Sequence, residues 1–212
     1  MRALLLFVLT GLCLRAEVLD RIAVSVDNGV ITEAQVIRQI RLAAFENHEE
    51  PNLSGSNKRT AAEQLLERRL IEREMQVNKY GGPDDAQIDA EMKRVEGEYK
   101  TPAGFQAALA KYKITQDELR EFERAQLAVL RFIELRFRPA IQVSDAEIQD
   151  YYQNEFLPDW EKRSKAPAPS LEKVHDQIEH IITRTRESQA LDRWLGETRR
   201  QSDIRWQQDV FK

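Results

Sequence analysis

"NEFLPDWEKRSKAPAPSLEKV", residues 154–174, carries three of the chain's seven prolines between two stretches of helical pattern. Pro158, Pro167 and Pro169 lack a backbone N–H and forbid one continuous helix, while the surrounding charges disfavour burial. Residues 157–170 therefore read as a linker. On its N-terminal side, Ser144 and Glu147 form a capping box at the head of "SDAEIQDYYQNEF". On its C-terminal side Leu171, Val174, Ile178 and Ile181 recur every three or four residues, and Leu191, Trp194 and Leu195 follow. This spacing predicts a helix from 171 to about 201. At ~1.5 Å per residue it is roughly 45 Å long, too long to be covered by one small partner element.

Further out, "VLDRIAVSVDNGVIT" alternates Ile22, Val24 and Val26 against Arg21, Ser25 and Asp27, the period of a half-buried strand, before an Asn28-Gly29 turn. Thr32 and Gln35 cap a helix running to about Glu46, and "NHEEPNLSGSN" reads as an exposed loop. A second helix begins near Lys58, carries Ala62, Leu65, Leu66, Leu70 and Ile71, and stops at Gly81-Gly82-Pro83. Asp84 with Gln87 caps a third, Pro102 opens a fourth, and Thr115 with Glu118 caps a long fifth that Pro139 ends. "AIQV" reads as a brief extended segment, and "SDIRWQQDVF" alternates Ile204 and Trp206 as a closing strand. Two lone strands satisfy their backbone groups most easily by pairing with each other. The predicted fold is mainly α, with a small β pairing of the N- and C-terminal strands.

Composition agrees: 32% charged residues, 8% aromatics and only eight glycines suit amphipathic helices better than a sandwich or barrel. "MRALLLFVLTGLCLRA", residues 1–16, has Arg2, a short apolar run and Ala16 at a cleavage position, and reads as a secretory signal too short to span a membrane. Its removal takes away the only cysteine, Cys13, and two basic residues, moving the formal charge from −4 to −6 and leaving no disulfide to form. A net acidic chain without a basic face has no electrostatic reason to hold nucleic acid.

The sequence offers no constellation for catalysis or metal. No Gly-rich loop lies between a strand and a helix, and the expected mature chain has no Cys nucleophile. In "HDQIEH" the five-residue separation turns His175 and His180 about 140° apart on a helix, unlike the spacing of zinc helices. No metal, cofactor or catalytic residue is expected. Met75, Met92, Tyr99, Phe105, Tyr112 and Phe132 admit two readings: core residues, or the flexible and flat side chains of a groove for apolar peptides. Periodicity does not separate them, because a groove continues a core stripe outward.

Taken in order, "LDRIAVSVDNGVITEAQV" (19–36), "LLERRLIEREM" (65–75), "DDAQIDAEM" (84–92), "FQAALAKYKITQDELREF" (105–122), "VSDAEIQDYY" (143–152) and "IRWQQ" (204–208) resemble the SurA-type periplasmic chaperones. In that family the fifth segment leads into a parvulin isomerase domain. Here the prolines of 157–170 occupy its slot, the family's "GGDLG"-like loop is missing, and "GGPDD" at 81 lies elsewhere. The resemblance implies a signal peptide at 1–16, a helical chaperone core over 17–156, a linker at 157–170, and a long helix and strand over 171–212 completing the core. It also implies a groove between that core and the last helix. The expected function is an ATP-independent periplasmic holdase for unfolded or extended outer-membrane protein segments, without prolyl isomerase activity, needing no cofactor and compatible with self-association. The alternatives are an assembly partner docking through helix 171–201, or a residual peptidyl-prolyl cis-trans isomerase.

Overall fold

The computed structural model describes residues 20–212; the expected signal peptide and residues 17–19 lie outside the described residues. Strand β1 (Ile22–Val26) pairs antiparallel with β2 (Gly29–Thr32), and its other edge pairs with β3 (Ile204–Trp206), giving the order β2-β1-β3. Val24 lies opposite Ile31 on one side and Trp206 on the other. The chain is thus mainly α, with a small antiparallel sheet joining its N-terminal hairpin to its C-terminal strand.

The strand β2 does not announce itself in the sequence. Only four residues long, it runs directly into the Thr32 cap of α1 (Glu33–Glu46), and its pairing comes from the hairpin. The turn itself is Asp27-Asn28, with Asp27 at φ 47° and Gly29 already paired to Val26. Tertiary contacts hold that conformation. Asp27 exchanges backbone and side-chain hydrogen bonds with Asp203, both 2.9 Å, and Arg73 reaches across to its carboxylate and to the Ser202 hydroxyl.

Helix α2 (Gly55–Val77) starts at a Ser54 cap, ahead of the expected Lys58. The Ser54 hydroxyl accepts from the Asn57 N–H, and the C-terminus packs on this first turn: a Cβ on Gly55 would sit 1.9 Å from the Phe211 carbonyl oxygen. Arg59, one turn later, lies 3.4 Å above the Trp206 ring, a cation–π contact. The helix also ends before the expected Gly81-Gly82 stop. Lys79 adopts the left-handed conformation (φ 55°), and the Tyr80 N–H donates back to the Met75 carbonyl at 2.9 Å.

Helices α3 (Asp85–Gly97), α4 (Pro102–Tyr112) and α5 (Gln116–Arg136) follow their predicted caps. After a 3₁₀ turn at Arg138–Ala140, α6 (Asp145–Tyr151) passes through a π turn (Tyr152–Phe156) into α7 (Leu157–Arg163). The helical run therefore enters the expected linker. Pro158 has no N–H to donate, and the widened turn before it, in which the Leu157 N–H reaches the Tyr152 carbonyl, accommodates the ring. The remaining connection, 164–170, is tied down: Tyr152 donates its hydroxyl to the Pro169 carbonyl (2.8 Å), and the Trp160 indole N–H reaches the Ala166 carbonyl (2.9 Å). The rings of Tyr152, Phe156 and Trp160 stack in sequence at 5.7 and 5.9 Å.

The last helix, α8 (Leu171–Gln201), serves two cores. Its C-terminal half brings Trp194 and Leu195 to the main core of the sheet, α1, α2 and Phe132 of α5. Its N-terminal half buries Val174 and Ile178 against Ile148 of α6. A separate core joins the end of α1, α3, α4 and the start of α5 around Phe45.

Candidate binding cleft

Of the six residues open to a groove reading, five are buried in the interior and Tyr99 is half-buried. Met75 and Phe132 belong to the main core, where Phe132 lies 4.9 Å from Trp194 between ring centroids. Met92, Phe105 and Tyr112 are buried in the core around Phe45, and Tyr99 stacks on Phe45 at its half-buried margin. They occupy two separate cores and form no shared surface in this conformation. The physical reason is that α4 folds back on the end of α1, so Phe105 and Tyr112 of α4 and Tyr99 just before it close around Phe45.

Surface hollows lie elsewhere, and one group of them sits between α1, α2 and α5. Three hollows of about 520, 330 and 270 Å³ all share Arg68 of α2. The first runs toward Ile31, Pro83, Ala125 and Ala128; the second toward Leu42 and Phe122; the third toward Val129 and, on α8, Leu191 and Leu195. Leu65, one turn before Arg68, lines the first two. Helical spacing on α2 sets Leu65, Arg68 and Ile71 along one flank, which brings the guanidinium among apolar walls.

Arg68 differs in its electrostatics from the cations around it. Arg38 pairs with Glu118 at 2.7 Å, Arg69 donates to the Val30 carbonyl at 3.2 Å, and Arg124 donates to Asp85 at 3.2 Å and Glu121 at 3.4 Å. Among the described residues Arg68 has no carboxylate within ion-pair distance and no side-chain hydrogen bond. Its guanidinium lies 5.6 Å from the centroid of the Phe122 ring. Burial pulls its pKa down, and the Glu72 charge one turn later opposes this. Deeper in the third hollow, burial pushes the Glu67 carboxyl up while Arg199 of α8, its ion-pair partner, pulls it down.

On the opposite side of α5 from this cleft, Glu123 is 3% exposed and faces the core around Phe45. Burial, a hydrogen bond to Glu46 and repulsion from Glu46 and Glu91 push its carboxyl up to about 8, with Arg94 partly offsetting them. Neither Arg68 nor Glu123 stands out among the many charges of the sequence, although both had a signal. Glu123 follows Leu119 by four positions on the buried stripe of α5, and Arg68 interrupts Leu65 and Ile71 on α2. At the exposed start of α8, ligand-type atoms of His175, Asp176 and Glu179 come within 4.8 Å of one another. His175 is already engaged there by Asp176 at 3.2 Å and Asp145 at 3.5 Å, which raise its pKa.

The hollows mix apolar and charged walls and meet at a guanidinium that, among the described residues, has no hydrogen-bond acceptor; nothing in them brings a nucleophile and base together. Among the described residues no helix is long and apolar enough to cross a membrane. No protein-family model and no curated protein matches this sequence.

Proposed function

We propose that the chain is the core of a SurA-type periplasmic chaperone, an ATP-independent holder of unfolded or extended outer-membrane protein segments with no prolyl isomerase activity. The observation that carries this reading is the branched cleft around Arg68, whose third arm lies between the N-terminal helices and α8, where the resemblance implies a groove. Its walls mix apolar side chains such as Leu65, Ala128, Val129 and Leu191 with charged ones, a surface suited to weak, plastic contacts that release their clients. The union of the hairpin with β3 further supports it, because the ordered segments that carry the resemblance then belong to one body. The short, tied connection at 164–170 supports the reading without isomerase activity, because the resemblance places the parvulin module at that slot.

An assembly partner docking through the outer face of α8 is less well supported. That face exposes Lys173, Glu179, Arg184, Asp192, Arg193 and Arg200 and no large apolar side chain. The test is light scattering of an unfolded outer-membrane protein diluted from denaturant, with and without the purified chain. Suppressed aggregation at near-stoichiometric ratios is expected. Equal scattering in both samples refutes the holding activity, and acceleration of a proline-peptide isomerisation assay refutes the absence of isomerase activity.

A further inference from the structure

We propose that Arg68 anchors a carboxylate of the bound segment, so that the cleft selects extended peptides carrying a carboxylate beside an apolar side chain. This inference rests on the peptide-holding reading and narrows its substrate class. A half-buried guanidinium loses hydration, and in this fold it gains no hydrogen-bonded anion in return. Every other arginine lining the first two hollows has found an acceptor, and Arg68 alone has not. The carboxylates around it make no bond to it: Glu67 pairs with Arg199, Glu121 accepts from Arg124, and Glu72, at i+4 and so in the less favourable order for a helical pair, acts on Arg68 through its charge alone.

The guanidinium fork suits a carboxylate, which accepts two parallel N–H donors, and the Phe122 ring lies 5.6 Å from it. Leu65, Leu42 and Phe122 line the second hollow with Arg68, so an apolar side chain adjacent to the carboxylate has a place to go, although Asp117, Glu118 and Glu121 line it too. The charge and the apolar walls together define the occupant. Two sources supply this chemistry, a chain's C-terminal carboxylate and an internal Asp or Glu.

The test uses fluorescence anisotropy of labelled peptides with the whole chain. One apolar-aromatic sequence is made in three forms: with a free C-terminal acid, with an amidated C-terminus, and amidated with one internal Glu. The wild-type chain is expected to bind at least one carboxylate form roughly tenfold more tightly than the neutral amide, as a charge-assisted hydrogen bond supplies. R68M, or R68Q if R68M does not fold by circular dichroism, is expected to bind all three alike. Preference for the free acid alone assigns the anchor to chain ends, and preference for both carboxylate forms assigns it to any carboxylate. Equal, measurable affinity for the three forms overturns the anchor while leaving peptide holding in place. A preference that survives the loss of Arg68 also overturns it, and no binding of any form removes both readings.

Discussion

Replacing Glu123 with Gln is expected to stabilise the protein, and to do so more at higher pH. The buried carboxyl stays protonated to about 8, whereas in the unfolded chain it ionises near 4.5. Between those values the folded state holds a proton that the unfolded state has released. The contribution of this group to stability is therefore fully present below pH 4.5 and is lost as pH rises toward 8. One unit of pKa corresponds to about 1.4 kcal/mol, so keeping Glu123 inside costs on the order of 3 kcal/mol at pH 7. A Gln side chain keeps the shape and places a neutral amide beside Glu46. Urea unfolding followed by circular dichroism at pH 5, 6, 7 and 8 measures the effect. The two chains are expected to differ little at pH 5, with E123Q gaining about 1 kcal/mol or more per pH unit until the curves run parallel above pH 8. A difference that stays constant from pH 5 to 8 refutes the reasoning, because it assigns the effect of the substitution to packing and not to a retained proton.

Two further expectations concern the fold that frames the cleft. G55A places a methyl group 1.9 Å from the Phe211 carbonyl, so either the first turn of α2 or the C-terminus must move, at about 1–3 kcal/mol. Urea melts read this directly, and the loss should shrink in a chain ending at Val210; equal penalties in both backgrounds place the strain elsewhere. At the end of α2, K79G should stabilise by up to about 1 kcal/mol, since Lys79 holds a left-handed conformation that glycine adopts without a Cβ penalty. A thermal midpoint lowered by K79G counts against that account.

Much of the helical outline was legible because helix starts are local events. Thr32 with Gln35, Asp84 with Gln87, Thr115 with Glu118, and Ser144 with Glu147 all form reciprocal capping boxes, each closed within four residues. The meeting of β1 and β3 was legible for a different reason: lone strands need partners, and only one other strand pattern was at hand. The breaks at Gly81-Gly82 and Pro158 were misplaced by several residues. Long-range packing of Tyr80 on Phe132 lets Lys79 take the left-handed turn, and a π turn carries the helix past the proline.

The candidate site shows the division most plainly. The sequence by itself determined where helices begin, which stripe of each is apolar, and that the two distant strand patterns belong together, because capping and periodicity act over a few residues. Tertiary structure alone decided that Met75, Met92, Phe105, Tyr112 and Phe132 turn inward, that Glu123 is shut away with Glu46, and that Arg68 stands without an anion at the junction of the cleft. Those outcomes depend on which helix faces come together and on which charges tens of residues apart claim each other first. A side chain's partner is set by the whole packing arrangement, and no spacing along the chain encodes it.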